Sequence, residues 1–512
     1  MLEVKENKEM SELSNKVEIP FSKNVALWKV FLISLTVSFL FLMICSANSF
    51  LYAFNDNQDI NWYITVGNGM LNGKVPYKDL FEHKGPIVYY VFAILCSVGN
   101  PYINAFFLEV LCMTFFLFFS YKIMLKFTTP FRAIIAMIIL CFIYTTSSFF
   151  VVGGGAVEEY CAPIFAWFLL CFFDFTFDKK DFLYFRTFMM GILLGVLFMV
   201  KFTLILFPAI ILVIWFVLKL KQKDYKKTFI SILIMFLAFL LIFILSLIYF
   251  IVKDAVSDLF LVYFYDNLFL YKTELSILSN FKMIFFNGFV GMCFVILGLI
   301  VYIHKFDKKA ITYTILVLSY LLLIIVSGNF SYYYQPLLVF ASVGLAFTVE
   351  YLARLKFKKN FRKLSIILTI VLCFGLCFPF GNATNEMFWD KDDYIHFQIA
   401  KDINNYGIEN PSLFCYKMWD YGFYNVAGIT PSEKYFANNL FEEENFPDMY
   451  DSFHEAIEQQ RNDFVLIKDE NYNDEKEFID QYYQIYKEYS YTYYKNTYTS
   501  YILTIYLMTP VN

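Results

Sequence analysis

The feature that most constrains this chain is a succession of long apolar runs separated by short segments that carry lysine. With 59% hydrophobic and only 17% charged residues, the composition excludes a soluble enzyme. Runs of about 20 apolar residues are long enough to cross the hydrocarbon core of a bilayer as helices. They occur near 25–51, 101–121, 133–152, 161–178, 228–252, 284–303, 310–327, 334–354 and 363–381. We therefore expect an all-α polytopic membrane protein.

Two further stretches need separate interpretation. The apolar stretch 187–219 contains Lys201 in its middle, which predicts two shorter helices that meet at this lysine. The stretch 86–99 is too short for an obvious span, so it is either re-entrant or lies in the membrane interface. Together with the longer runs, this gives about eleven transmembrane helices.

The distribution of positive charge predicts the orientation. Lys and Arg concentrate in short connecting segments, which we place in the cytoplasm: 122–132, 179–186, 219–227, 304–309 and 355–363. The alternating spans then put the first loop, 52–85, outside, together with 151–160, Lys201 and the chain after 381. The protein is expected in the plasma membrane.

The chain after residue 381 differs sharply from the rest. It contains 23 acidic and 9 basic residues, against 22 acidic and 32 basic residues before it. The run Phe464 to Ile467 predicts a strand, and Asp451 to Arg461 predicts a helix before it. We therefore divide the chain into a cytoplasmic segment 1–24, a transmembrane domain 25–381, and an acidic extracytoplasmic domain 382–512 of α/β or α+β type. We call this last domain the tail.

The first loop carries two acidic residues near its start. Asp59 precedes an aromatic, apolar stretch that should lie against the membrane, where a carboxylate is costly to bury and tends to be functional. Asp56 is interpreted as a helix N-terminal cap. The two carboxylates would share a face if this stretch is helical.

Two lysines on the external side suggest a site for an anion. Lys84 lies at the membrane boundary before an apolar segment, where the alternative is a lysine that snorkels to the interface. Lys201 stands on the external side, against the general distribution of positive charge. Two lysines that converge on one external cavity suit a phosphate or pyrophosphate.

Two further motifs lie at the outer ends of predicted spans. Glu158 and Glu159 follow three glycines, and the alternative to a functional role is stabilisation of a helix N-terminus. The turn from Gly328 to Pro336 is rich in tyrosine, and the alternative is an aromatic belt at the interface.

These motifs together resemble a known family. In order along the chain they are Asp59, Gly67, Gly73, Pro76, Tyr77, Asp79, His83, Lys84, Gly85 and Pro86, then Glu158, Glu159 and Tyr160, then the turn at Gly328. This order resembles bacterial membrane glycosyltransferases of the GT-C fold, in particular the relatives of protein O-mannosyltransferases and of the lipid A aminoarabinose transferase.

The resemblance implies a reaction and a set of site residues. A sugar, hexosyl or pentosyl, would move from a polyprenyl-phosphate donor to an envelope acceptor that is a protein, lipid or polymer, with Asp59 as general base. Glu158 or Glu159 would be the second acidic residue, while Lys84 and Lys201 would hold the donor phosphate. The residues expected to line the substrate site are Tyr77, His83, Tyr160, Tyr333 and Gln335.

The expected reaction needs few catalytic groups. One base and one displacement would invert the anomeric centre, and cations that meet the charge on the leaving phosphate lower the barrier. The chain has four histidines, and neither they nor the cysteines follow a metal-binding spacing, so no metal or other cofactor is posited. No basic field suits nucleic acid.

Two other classes of function remain open. A polytopic lipid or polysaccharide transporter or flippase would also explain charges within the membrane region and an aromatic lining. A non-catalytic scaffold for envelope assembly is the third class. Release of polyprenyl phosphate on adding donor and acceptor would separate the enzyme from both.

Overall fold

The computed structural model describes residues 25–180, 184–271, 277–303, 308–327, 330–355, 359–438, 441–496 and 499–511. The predicted cytoplasmic segment 1–24 lies outside the described residues, as do Gly328 and Asn329 of the tyrosine-rich turn. Within the described part, a helical region up to Phe380 is followed by a tail with a four-stranded sheet. The chain is thus an α-helical membrane protein with a small α/β tail, as the sequence predicts.

The helical region consists of α-helices joined by short turns. In chain order, the described helices are α1 (Leu27–Cys45), α2 (Gln58–Leu71), α3 (Pro86–Ser97), α4 (Pro101–Met124), α5 (Pro130–Thr146), α6 (Val157–Thr176), α7 (Tyr184–Val200), α8 (Leu206–Lys221), α9 (Tyr225–Val252), α10 (Val256–Leu259), α11 (Ile277–Lys282), α12 (Phe289–Ile303), α13 (Lys308–Ser327), α14 (Leu338–Arg354) and α15 (Lys359–Phe380). Phe260–Leu270 and Met283–Asn287 continue α10 and α11 as π-helices, and Phe202–Ile205 and Ser331–Leu337 are 3₁₀-helices.

Eight helices among the described residues are long and apolar enough to cross a membrane. They are Leu27–Cys45, Pro101–Met124, Val157–Thr176, Phe202–Lys221, Tyr225–Val252, Lys308–Val326, Ser331–Arg354 and Lys363–Phe380. The pair Ile277–Asn287 and Phe289–Val301, bent by 93°, makes a ninth if it is one span. Three shorter apolar helices, α3, α5 and α7, accompany them in this part of the chain. The exact number of spans, about eleven from the sequence, stays a prediction.

The structure contains the helix break that the sequence predicts at Lys201. Helix α7 ends at Val200, Lys201 has an extended backbone (φ −161°, ψ 107°), and a 3₁₀ turn leads into α8. The prediction of two short helices that meet at this lysine is confirmed. An extended residue between two helices holds the lysine side chain at a fixed point instead of on a helix face.

Helix α3 lies in the stretch 86–99, for which the sequence left the depth in the membrane open. Both ends of this helix lie beside the first loop. It starts directly after Gly85 and packs against α2, where a Cβ on Gly67 would lie only 2.8 Å from the backbone carbon of Phe92. Three residues after α3 ends, α4 begins, and the Tyr102 hydroxyl in its first turn donates a hydrogen bond to Asn61 of α2. A helix of 12 residues is about 18 Å long, shorter than the roughly 30 Å hydrocarbon core, and whether α3 is re-entrant or interfacial stays a prediction.

The tail is built around a mixed sheet with strand order β1-β2-β4-β3. Strand β1 (Leu413–Cys415) pairs in parallel with β2 (Phe464–Lys468), and β2 pairs antiparallel with β4 (Thr499–Pro510) through Val465 and Met508. Strand β3 (Tyr483–Asn496) forms the other edge. The tail helices are α16 (Ile395–Asn405), α17 (Phe423–Ala427), α18 (Pro447–Glu458), α19 (Asp469–Asp474) and α20 (Lys476–Ile479). The strand at 464–467 and the helix before it are therefore confirmed.

The tail packs directly on the first loop. The Phe81 backbone N–H donates to the carbonyl of Lys434 at 2.8 Å, and the Thr65 hydroxyl donates to Asp420 at 2.9 Å. The ring of Phe54 lies 4.9 Å from that of His396. These contacts bring tail residues to the edge of the region where the motif residues gather.

Candidate functional site

Asp59 lies in the first turn of α2, whose start is set by Asn57. The Asn57 side chain accepts a hydrogen bond from the Asp59 backbone N–H at 3.0 Å, which makes Asn57 the N-cap residue. The predicted role of Asp56 as the cap is therefore wrong. Asp56 precedes the helix, so it shares no helical face with Asp59. It is buried, and together with burial its charge raises the pKa of Glu386 in the tail well above the ordinary range.

The glycine loop before α6 supports the start of α2. Gly153, Gly154 and Gly155 have φ angles of +83°, +78° and +99°, a left-handed backbone that residues with side chains rarely adopt. A Cβ on Gly155 would lie 3.0 Å from the Cβ of Ile60, the residue after Asp59. The glycines thus let this loop pack closely beneath the turn that carries Asp59.

Lys84 is buried at the end of the first loop and faces two carboxylates. Its Nζ lies 3.8 Å from Oδ1 of Asp59 and 3.6 Å from Oε1 of Glu82. Burial lowers the pKa of a lysine, but the charges of Asp59 and Glu82 outweigh it and hold the pKa of Lys84 above its ordinary value. Lys84 is therefore a stable cation next to Asp59.

The backbone around Lys84 is fixed by hydrogen bonds to neighbouring side chains. The Lys84 N–H donates to Oε2 of Glu82 at 3.0 Å, and the Tyr89 hydroxyl donates to the same carboxylate. The Tyr77 hydroxyl donates to the Lys84 carbonyl at 2.7 Å. Because three side chains hold one short bend, the lysine has a defined direction.

Lys201 reaches the same region from the break between α7 and α8. Its Nζ lies 2.6 Å from Oε1 of Glu158 and 3.5 Å from the centre of the Tyr333 ring. Glu158 is 1% exposed. The lysine is thus held by an ion pair on one side and a cation–π contact on the other.

A direct backbone contact joins the two lysine-bearing segments. The Gly85 N–H donates to the carbonyl of Val200 at 2.9 Å. A Cβ on Gly85 would lie 2.1 Å from the carbonyl oxygen of Met199. The residues next to Lys84 and Lys201 therefore touch, and this contact requires glycine.

Both lysines line one cavity of about 320 Å³. One part of its wall is polar and charged, with His83, Lys84, Glu158 and Lys201. Another part consists of aliphatic side chains, namely Leu204, Leu206, Leu268, Leu323, Ile324 and Val326. A cavity lined by both cations and aliphatic side chains suits an amphipathic molecule that has an anionic head.

A smaller cavity lies on the other side of Lys84 and contains Asp59. His83, Lys84 and Tyr333 line both cavities, so these three residues form the wall between them. The remaining residues of the smaller cavity are Gln58, Asp59, Trp62, Glu82, Tyr332 and Trp419. Trp419 belongs to the tail, so the tail contributes directly to the space around Asp59.

Some of the residues expected to line the site lie elsewhere. Tyr77 is fully buried behind the Lys84 bend, Tyr160 packs with its ring 6.2 Å from that of Phe92, and Gln335 is 1% exposed. None of the three lines either cavity.

The side chains of the adjacent residues Glu158 and Glu159 have different partners. Glu158 faces the larger cavity, whereas Oε2 of Glu159 accepts the Gly155 N–H at 3.1 Å. Glu159 therefore lies in the first turn of α6 and holds the glycine loop that precedes this helix, and it lines neither cavity.

Sequence reasoning missed four residues around the site. Glu82, Trp62 and Trp419 line the smaller cavity, and Glu109 accepts hydrogen bonds from Ser46 at 2.6 Å and Asn48 at 2.7 Å. The sequence contained a signal for two of these residues. Glu109 is an acidic residue within a long apolar run, and Glu82 stands two residues before Lys84. Trp419 had no signal, because only the folding of the tail brings it here.

No group of three or more His, Cys, Asp or Glu side chains that could hold a metal ion occurs among the described residues. Within that part of the chain, the candidate site consists of two lysines, three carboxylates and several aromatic rings.

A family model matches residues 13–373, which is most of the chain. Its description reads "Putative competence-induced protein Ccs4 N-terminal domain". The chain belongs to this family. The match covers the membrane region up to the middle of its last helix, with both lysines and all three carboxylates, and it ends before the tail. No curated protein matches the chain by sequence.

Solved structures show the fold of this family member. ArnT from Cupriavidus metallidurans, bound to undecaprenyl phosphate, aligns over 94% of this chain and 98% of its own with a TM-score of 0.62 at 10% identity. The apo oligosaccharyltransferase from Archaeoglobus fulgidus aligns over 91% of this chain and 74% of its own with a TM-score of 0.55 at 14% identity. Both are GT-C fold membrane glycosyltransferases. The chain has the GT-C fold.

Proposed function

We propose that this protein is a membrane glycosyltransferase that moves a sugar from a polyprenyl-phosphate donor to a hydroxyl of an envelope acceptor. The observation that carries the proposal is the wall shared by the two cavities. Lys84 lines both a cavity that contains cations and aliphatic side chains and a cavity that contains Asp59. The similarity to an ArnT structure with bound undecaprenyl phosphate supports a lipid-phosphate donor.

The larger cavity is the proposed donor site. The part of the polyprenyl chain next to the phosphate lies against the aliphatic side chains, and the phosphate lies between Lys84 and Lys201. Both lysines are paired with carboxylates, at 3.8 Å to Asp59 and 2.6 Å to Glu158. The donor phosphate replaces these partners, so neither buried cation is left unpaired at any stage.

Asp59 is the proposed base, and the acceptor hydroxyl is proposed to reach it in the smaller cavity, whose volume of about 20 Å³ admits a single hydroxyl group. An acceptor hydroxyl is a weak nucleophile, so a carboxylate takes its proton as the new glycosidic bond forms. The bond from the anomeric carbon to the phosphate oxygen breaks in the same step, and the two lysines stabilise the charge that develops on the phosphate. Attack from the acceptor side opposite the leaving phosphate inverts the anomeric centre.

The test is sugar transfer by the purified protein in nanodiscs from a radiolabelled polyprenyl-phosphate hexose, with envelope extract as acceptor. Asp59→Asn keeps the size of the side chain and should lower turnover by about 10²–10⁴-fold. Asp79→Asn is the matched control, because Asp79 is in the same loop, accepts the Val75 N–H at 2.7 Å and lines neither cavity.

Equal transfer by Asp59→Asn and the parent would contradict the assignment of the base. A labelled donor that crosses liposome membranes without any release of polyprenyl phosphate would instead identify a transporter. Thermal unfolding of each variant shows whether a loss of activity is a loss of folding.

A further inference from the structure

A second deep cleft lies within the membrane region, apart from the candidate active site. Its volume is about 610 Å³, which is in the range of sites for small organic ligands. Its lining residues are Phe115, Phe119, Pro163, Ile164, Trp167, Phe185, Arg186, Met189 and Leu193. None of these lines either cavity of the candidate site.

The cleft exists because α7 packs away from α6. Gly191 and Gly195 of α7 face α9, where a Cβ on Gly191 would lie 2.2 Å from the Met235 carbonyl oxygen and one on Gly195 would lie 2.7 Å from the Cβ of Ile242. The cleft is the space left between the α7–α9 pair and the walls formed by α4 and α6. It is a fixed consequence of helix packing.

The position of the cleft along the membrane normal follows from its lining. The α4 residues lie in the second half of that helix, which ends near Lys122, and the α7 residues other than Leu193 lie in the first half of that helix. Both of these helix ends adjoin lysine-rich segments that we expect to face the cytoplasm. The cleft therefore begins on the lysine-rich side at Arg186 and reaches past the middle of the bilayer to Pro163 and Ile164 in the outer half of α6.

The mouth of the cleft carries an excess of positive charge. Nη1 of Arg186 lies 3.1 Å from Asp174, and Lys126 lies 2.7 Å from both Asp174 and Asp178. Lys180 lies 3.3 Å from Asp178, and Lys122 is one helical turn before Lys126. Counting described residues alone, three cations thus pair with two aspartates, and one of these cations, Arg186, lines the apolar cleft.

We propose that this cleft binds an anionic diacyl phospholipid of the phosphatidylglycerol type. One acyl chain fills the apolar space between Trp167 and Leu193, and the headgroup phosphate lies at Arg186. Basic pockets between transmembrane helices on the cytoplasmic side recognise anionic headgroups in this way. The volume suits a single acyl chain, and none of the lining residues belongs to the cavity proposed for the sugar donor, so the two lipids would occupy separate sites.

The test compares lipids retained by the purified protein. The parent is extracted from nanodiscs with equal amounts of dioleoyl-phosphatidylglycerol and dioleoyl-phosphatidylcholine, and bound lipid is counted by native mass spectrometry. Phosphatidylglycerol should be enriched, and Arg186→Gln should reduce the enrichment about fivefold. Arg354→Gln is the matched control, because Arg354 is also beside a lysine-rich segment and paired with a carboxylate, 3.2 Å from Glu350, but does not line the cleft.

A second variant tests the apolar part without touching a charge. Leu193→Trp fills the cleft and should remove the retained phospholipid while Arg186 keeps its ion pair. Equal losses in Arg186→Gln and Arg354→Gln would overturn the proposal, as would full retention by Leu193→Trp. Displacement of phosphatidylglycerol by an equal amount of undecaprenyl phosphate would show that the occupant is the wrong lipid.

Discussion

At the scale of single residues, the site depends on two lysines with different surroundings. Lys84 faces Asp59 and Glu82, whereas Lys201 faces Glu158 and the ring of Tyr333. Both side chains are mostly buried, and each is paired with carboxylate. Buried ion pairs of this kind add little to the free energy of unfolding, but they fix the position of a charge. Their value lies in presenting two cations to one cavity.

Replacing either lysine by Met should weaken binding of a polyprenyl phosphate. A hydrogen bond to a charged group contributes about 1.5–3 kcal/mol, so affinity should fall about 10- to 100-fold in Lys84→Met and in Lys201→Met. Binding of undecaprenyl phosphate to the protein in nanodiscs measures this. Lys78→Met is the control, because Lys78 is exposed in the same loop and donates to the Asp254 carbonyl.

Loss of Lys201 also leaves the buried carboxylate of Glu158 without its cation, which destabilises the fold. The double variant Lys201→Met with Glu158→Gln removes both charges and separates the two effects. Unchanged affinity in all the lysine variants would show that neither lysine contacts the phosphate.

At the scale of elements, the contact between the first loop and the end of α7 sets the distance between the lysines. Gly85 has an ordinary φ of −73°, so its requirement for glycine is one of space only. The space is closed by the Met199 carbonyl, which belongs to the last turn of a helix and does not move cheaply. The packing of two backbones thus decides the geometry of two side chains.

Gly85→Ala should therefore destabilise the protein by about 1–3 kcal/mol, the usual cost of overpacking, and should lower donor binding. Gly375→Ala is the matched control, since a Cβ there meets no atom within 4 Å. Ala in place of a helical Gly is favourable by about 0.5–1 kcal/mol. Thermal unfolding in detergent measures both; equal stability of Gly85→Ala and the parent would contradict the contact.

At the scale of the whole molecule, the tail closes the smaller cavity with Trp419 and is held on α2 by buried polar groups. Asp420 accepts hydrogen bonds from the Thr65 hydroxyl at 2.9 Å and from the Gly422 N–H at 2.8 Å. Burial raises the pKa of Asp420 from 3.8 to about 6. The docking of the tail is therefore sensitive to pH.

The sign of this effect follows from proton linkage. The folded protein binds a proton at Asp420 more tightly than the unfolded chain, so this contribution to stability is lost as the pH rises from about 4 to about 6. The full effect is at most about 3 kcal/mol. Asp420→Asn should remove it, so the variant should gain stability relative to the parent across this range. Thermal unfolding at pH 4, 5, 6 and 7 measures the difference.

His396 lies in the same interface between the tail and the first loop, and its effect on stability has the opposite dependence on pH. Burial lowers the pKa of His396 from 6.5 to about 3, so its contribution is lost as the pH falls through this range. His396→Phe keeps the ring contacts with Phe54 and Phe423 and should be more resistant to acid than the parent. If neither variant changes the pH profile, the tail is not held by these groups.

The orientation in the membrane is the second prediction at this scale. We propose that the tail and the first loop face outward and that the lysine-rich segments face the cytoplasm. In intact cells, a maleimide that does not cross membranes should label Asp451→Cys but not Lys223→Cys, both of which are exposed. The reverse pattern of labelling would invert the topology.

The sequence alone determined the class of fold and several local features. Runs of about 20 apolar residues require helices in a bilayer, because every backbone polar group there must be satisfied within its own segment. A lysine in the middle of an apolar stretch required the break at 201, and the change of composition after 381 marked the tail. The short motifs also pointed to Asp59, Lys84 and Glu158, since charged side chains at the boundary of an apolar run are costly and tend to be functional.

Only the tertiary structure decided which of the motif residues meet. Glu158 and Glu159 are adjacent in sequence, yet a turn of about 100° per residue sends one to Lys201 and the other to the Gly155 N–H. Asp56 lost its predicted role because Asn57 competes for the same N–H group. Trp419 is far along the chain from Asp59, and its contribution arises from docking of the tail, a long-range contact with no local pattern in the sequence.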